Sequence, residues 1–300
     1  MRFFRLRNTP VENLTFAAMM VAFDAILSLI AALLPLSALF IMLLAPLTSA
    51  AVSLFCKKRY VLIYLLAAIG ICLAVTAWDF LNTLFYMIPA VFTGAFYGLL
   101  WKFKLPSSMN IFFTTLLSFL FFYLSLWLIK VMLNADMVAV LLALVGRKTD
   151  SGAVTVFPLF ALGYSFAQTG IMHGFLLYEL KRLGQEETND EKLAHWYPLI
   201  AAIFLISSFV CAFFSAKTGY FFLGLGLYWA IYSTLPLFDD FKPLSLALAV
   251  LCLIGGVFLF AGCYSLMPEQ SGLLLLNAPA LLLMGVTSLH HFLPGPKAND

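Results

Sequence analysis

The sequence predicts an all-α fold, a polytopic transmembrane helix bundle of about 8–10 spans, and three observations carry that prediction. Apolar residues make up 63% of the 300 positions and charged residues only 10%, whereas a soluble domain carries about a quarter charged residues. No soluble interior could hide so much hydrocarbon, and a bilayer removes the need to hide it. The apolar residues also fall in runs of about 20, the length of helix that crosses a core about 30 Å thick. Finally, the basic residues sort by connection, as shown below.

Taken in order, the candidate spans are 14–34, 36–55, 60–78, 81–101, 111–133, 155–180, 198–216, 219–236, 244–264 and 272–292. The leader MRFFRLRNTPVEN is basic, but no small-polar cleavage region follows, so the first run is expected to be an uncleaved span. Pro35 ends it, CKKRY closes the second span, and WKFKLPSS closes the fourth. If the N-terminus is cytoplasmic and every span crosses, the inside segments hold thirteen Lys and Arg and the outside segments four, Lys130, Arg147, Lys148 and Lys217. This is the positive-inside pattern, and it predicts a cytoplasmic (inner) membrane protein with both termini inside. Residues 134–154 contain an apolar stretch too short to cross and are expected at the outer interface or re-entering. Residues 181–197 form a charged cytoplasmic loop. It divides a six-span front half, 1–180, from a membrane region of about four spans, 198–300.

Asp24 stands midway along the first apolar run. A charge at bilayer depth costs at least about 2.5 kcal/mol, so a polar partner, a proton or water is expected beside it. Ala18, Ala22 and Ala25 form a small-residue stripe that suits close helix packing, within the chain or on a separate subunit. At about 100° per residue, Asp24 lies roughly 160° from Ala22, with Ser28 one turn further along the Asp24 face. The first span is therefore expected to turn its carboxylate inward and its alanines the other way. In the sixth span, Gly163, Gly170 and Gly174 line up as a second packing or partner-contact edge. Tyr164, Gln168 and His173 are its deep polar groups, the latter two the nearest in kind to partner Asp24. Trp78, Asp79 and Asn82 mark the outer mouth of the third and fourth spans, where the two polar residues are expected to cap a helix.

Several chemistries lack their residues. No GxxxxGK[ST] phosphate loop, HExxH, GxSxG elbow or TVGYG filter occurs, and no catalytic residue, metal set or cofactor site is assigned. Five scattered cysteines read as small buried hydrophobes. A net charge of +3 follows from topology and gives no reason to invoke nucleic acid.

The basic leader, LTFAAMMVAF, the turn with Pro35, the second span with Pro46 and then CKKRY resemble the start of the YybS-like family of bacterial membrane proteins. They are more remotely similar to the substrate-binding S components of energy-coupling factor transporters. The resemblance implies that Ala18, Ala22 and Ala25 pack on a membrane coupling subunit served by a separate ATPase, with the front half as the S-component core. The leading expectation is a non-catalytic component for small-molecule uptake that contacts membrane lipids. The alternatives are a structural or regulatory protein that organises membrane or envelope partners, and a lipid-processing enzyme of unfamiliar type.

Overall fold

The computed structural model describes residues 6–34, 41, 43–134, 136–144, 151–182, 194–239 and 271–292. All ten regular elements longer than a single turn among them are α-helices: α1 Pro10–Leu33, α2 Pro46–Phe55, α3 Lys58–Val75, α4 Phe80–Lys102, α5 Ser107–Leu133, α6 Met137–Leu144, α7 Ser151–Arg182, α8 Tyr197–Ala212, α9 Ala216–Asp239 and α10 Ser271–Phe292. Five of the described helices are long and apolar enough to cross a membrane, at Pro10–Leu33, Lys58–Val75, Thr83–Lys102, Ser107–Met132 and Ala153–Arg182. The protein is an all-α, multi-pass membrane helix bundle. The expected ninth span, 244–264, lies outside the described residues. So does most of the 181–197 loop.

Helix α1 shows how local sequence sets these elements. Pro10 occupies the first helical turn, where its missing N–H costs nothing. Thr9 and Glu12 form a reciprocal capping box, with the Glu12 N–H donating to Thr9 Oγ1 at 3.3 Å and the Thr9 N–H to Glu12 Oε2 at 3.3 Å. Its 24 residues extend about 36 Å, enough to cross the hydrocarbon. By contrast α6, with 8 residues, reaches only about 12 Å and cannot cross. The side chain of Asp136 starts it by accepting from the N–H groups of Val138 and Ala139 at 3.1 and 3.2 Å.

The chain forms two compact units. The first comprises Met1–Thr149 and Ala161–Asn189, and its described helices bury a mixture of apolar, small and polar side chains while many large apolar ones face outward. On α3, Leu62, Ile63, Leu66 and Ile71 are exposed while Tyr60, Tyr64, Ala68 and Cys72 are buried. An outward apolar face would be a liability in water and is at home against lipid.

Of the expected second span, 36–55, residues 36–40 and 42 lie outside the described residues. Residues 41, 43 and 44 are helical, but the regular helix restarts at Pro46 and runs ten residues as α2. Eight of those ten are buried. Small residues make this possible: Ser49, Ala50 and Ser53 face Gly94 and Gly98 of α4, and Ser53 Oγ donates to the Ala95 carbonyl at 2.9 Å. A Cβ added to Gly94 would sit 2.0 Å from the Pro46 carbonyl oxygen. This is the close helix approach that small residues permit.

The second unit comprises Asp150–Phe160 and Asp190–Asp300. There α8 and α9 form a hairpin, with Gly219 against Ala212 and Gly226 against Leu205. Ser208 donates to the Gly219 carbonyl at 2.8 Å and accepts from Asn277 Nδ2 of α10 at 3.0 Å. The rings of Tyr197, Tyr228, Trp229 and Tyr232 pack together between α8 and α9.

Candidate functional site

Asp24 is fully buried, on the α1 face that turns into the first unit. Ala18 and Ala22, on the opposite side, are exposed, and Ala25 is half-buried. The periodicity therefore oriented the helix correctly. Within the unit the alanine face closes no tight helix pair at Ala18 or Ala22, because it points away from α2 and α3.

The partners of Asp24 differ from those expected. Gln168 and His173 bond elsewhere, and the carboxylate is met by hydroxyls from two other helices. Thr48 Oγ1 of α2 lies 2.6 Å from Asp24 Oδ1, and the Tyr64 hydroxyl of α3 lies 2.5 Å from Oδ2. Thr48 Oγ1 is also 2.8 Å from the Ala45 carbonyl oxygen and 3.2 Å from the Tyr64 hydroxyl. Three helices thus converge on one acid beside Pro46, where the chain passes through the αR residue Ala45 into α2. Proline removes a backbone donor there and loosens the local helical ladder. Here α1, α3 and α4 surround α2.

Ser28 shares the buried face, and its carbonyl accepts from the Tyr86 hydroxyl at 3.2 Å. Gln168 of α7 is buried and accepts from Ser118 of α5 at 2.6 Å. His173 Nδ1 is 2.8 Å from the Tyr97 hydroxyl of α4, and the Tyr97 and Trp101 rings pack beside the imidazole at 6.0 and 6.1 Å. Tyr164 is half-buried, with its ring 6.3 Å from Phe122. The polar groups of the sixth span therefore join α7 to α5 and α4 in separate pairs and do not extend the Asp24 cluster.

Of the residues expected at the outer mouth, Trp78 is 65% exposed and belongs to a short 3-10 turn, Ala77–Asp79. Asp79 occupies the N-cap of α4 but makes no side-chain capping bond, and the side chain of Asn82 lies outside the described residues. Instead, the hydroxyls of Thr76 and Thr83 bond across the turn. The glycine edge is open too. A Cβ on Gly163, Gly170 or Gly174 would meet no described atom within 4 Å. Among the described residues, no group of three or more His, Cys, Asp or Glu is placed to hold a metal ion.

Sequence reasoning missed Thr48, Tyr64, Tyr97, Gly94 and Gly98. The GAFYG stretch at 94–98 carries the same GxxxG spacing as 170–174. Its distinguishing signal is a complementary run of small residues, Ser49, Ala50 and Ser53. Tyr64 recurs four residues after Tyr60 and so shares its helix face. Comparison of the chain with protein-family models, curated proteins and solved structures returned no match.

Proposed function

We propose that this multi-pass protein is a non-catalytic component for uptake of a small molecule, with Asp24 as the group that meets the transported species. The carrying observation is a fully buried acid whose hydroxyl neighbours do not need it. Without Asp24, Tyr64 could still donate to Thr48 and Thr48 to the Ala45 carbonyl, since those contacts are already 3.2 and 2.8 Å. The fold therefore bears the desolvation cost of a carboxyl group that its partners do not require. An ionisable residue inside a membrane span is by default a candidate for a substrate or ion pathway. Its place at the meeting of α1, α2 and α3 fits that role.

On the same reading, the outward Ala18–Ala22 face of α1 is where a membrane coupling subunit of the energy-coupling factor type packs, with ATP hydrolysis on a separate chain. The protein then sits in the cytoplasmic membrane with both termini inside. Reporter fusions at residue 300 and within 181–197 should both report cytoplasm; periplasmic activity at either point overturns that topology.

The uptake reading is tested in cells lacking the protein. Growth profiling identifies the nutrient whose uptake the wild-type chain restores, and Asp24→Asn is then compared in the same strain. The variant should be as abundant and as thermally stable in detergent as wild type while failing to restore uptake. Full restoration by Asp24→Asn defeats the site assignment. Co-purification from mild detergent tests the coupling subunit separately. Ala18→Leu with Ala22→Leu should release a nucleotide-binding partner without lowering abundance.

A further inference from the structure

We propose that Asp24 is a proton-binding site: its carboxyl carries a hydrogen, and Thr48 passes the resulting bond on to the Ala45 carbonyl. The inference deepens the uptake reading, since it takes the same acid as its centre, and adds the proton as a bound species.

The geometry is a matter of counting hydrogens. Three short oxygen–oxygen contacts meet in this cluster: Tyr64 to Asp24 Oδ2 at 2.5 Å, Thr48 to Asp24 Oδ1 at 2.6 Å, and Thr48 to the Ala45 carbonyl at 2.8 Å. Each such distance is that of an O–H···O hydrogen bond. The two hydroxyls supply two hydrogens, a carbonyl supplies none, and an ionised carboxylate is acceptor-only. A third hydrogen is needed, and the carboxyl is the remaining group that can carry it. With the hydrogen on Oδ1, Asp24 donates to Thr48, Thr48 donates to the Ala45 carbonyl, and Tyr64 donates to Oδ2. All three short contacts are then filled. Only the longest contact, Tyr64 to Thr48 at 3.2 Å, goes without a hydrogen.

The ionised form is also accommodated, by one rotation. When the proton leaves to water, the Thr48 hydrogen swings from the Ala45 carbonyl to Oδ1. One O–H bond of the acid is broken, no electrons change hands, and the proton is conserved. Among the described residues, the surroundings offer no fixed counter-charge to hold the carboxylate instead. Helix α2, PLTSAAVSLF, contains no ionisable residue, and α3 presents Tyr64 and Cys72. Helix α4 presents Tyr86, one helical turn away at Ser28. Lys58 and Arg59 stand at the start of α3, and Asp79 and Lys102 at the ends of α4. The acid is thus set among hydroxyls and a thiol.

The test is pH-difference infrared spectroscopy of the full-length protein in lipid nanodiscs. Wild type should show the stretch of a hydrogen-bonded carboxylic C=O that gives way to carboxylate bands as pH rises. That band should vanish in Asp24→Asn, which reproduces the protonated acid: its Nδ2 donates to Thr48 and its Oδ1 accepts from Tyr64. Asp24→Asn should therefore melt with wild type. In Thr48→Val the acid loses its acceptor, and the band should move to higher frequency. A wild-type spectrum without the band, a band that persists in Asp24→Asn, or one unmoved in Thr48→Val overturns the proposal. So does an Asp24→Asn variant that fails to fold. The measurement needs no transported solute: loss of uptake without the band sinks the proton site alone, and the band with normal Asp24→Asn uptake sinks the transport reading alone.

Discussion

Gly94→Ala should destabilise the protein strongly, while Gly170→Ala leaves it unchanged or slightly more stable. The new Cβ at 94 would lie 2.0 Å from the Pro46 carbonyl oxygen, 2.1 Å from Ser49 Oγ and 2.9 Å from the Ala50 nitrogen. Two of those atoms are backbone, so no side-chain rotation relieves the clash and α2 must move off α4. Overpacking typically costs about 1–3 kcal/mol, and a backbone collision belongs at or above the top of that range. Gly98→Ala follows the same logic, with Ser53 Cβ at 2.6 Å. At Gly170 nothing described lies within 4 Å, and replacing a helical glycine by alanine gains roughly 0.5–1 kcal/mol. Thermal unfolding in detergent reads both. Equal melting temperatures for Gly94→Ala and wild type would show that α2 and α4 do not approach this closely.

Asn13→Leu should loosen the N-terminal arm and cost about 3 kcal/mol, several unsatisfied groups at about 1–3 kcal/mol each. Asn13 is fully buried, and its side chain bonds three backbone groups, tying the N-terminal arm to the turn before α3. Its Nδ2 donates to the carbonyls of Thr9 and Arg7 at 2.7 and 3.2 Å, and its Oδ1 accepts from the Lys57 N–H at 2.9 Å. Leucine has similar volume but makes none of these bonds. The arm it releases is otherwise held by the Arg7 N–H on the Phe55 carbonyl at 3.1 Å and by the Arg7 guanidinium, 3.3 Å above the Phe16 ring. Asn13→Asp should be nearly as harmful, because a carboxylate lacks the donor for both carbonyls. Tryptic cleavage after Arg7 should accelerate in both variants alongside the fall in melting temperature. Unchanged cleavage in both would remove Asn13 from this role.

The fold class was legible because lipid imposes a coarse rule: composition and run length suffice to identify a spanning helix. Orientation was legible for α1, since the helical repeat alone puts Asp24 and Ala22 on opposite sides. What the repeat does not carry is which helix docks on which. Asp24 was matched by chemical kind to Gln168 and His173, yet its neighbours are decided by the packing of α2 and α3 on α1. The two GxxxG motifs make the same point. Spacing is identical at 94–98 and 170–174, but among the described residues only the first has a small-residue partner helix. The proline at 46 was visible as a residue, whereas the enclosure of the helix that follows it depends on α4 fitting against it.

That enclosed helix has a consequence for how the chain is made. Ten residues with three of them serine or threonine offer a translocon little reason to release α2 into lipid on its own, and at about 15 Å it does not bridge the bilayer. Its resting place is built by glycines that lie about 40 residues later in the chain. While the nascent chain ends short of Lys102, α2 has no groove to enter, and the hydroxyls of Ser49 and Ser53 have no helix to rest against. Synthesis order and assembly order therefore diverge: the second hydrophobic segment leaves the ribosome early and reaches its place after the fourth.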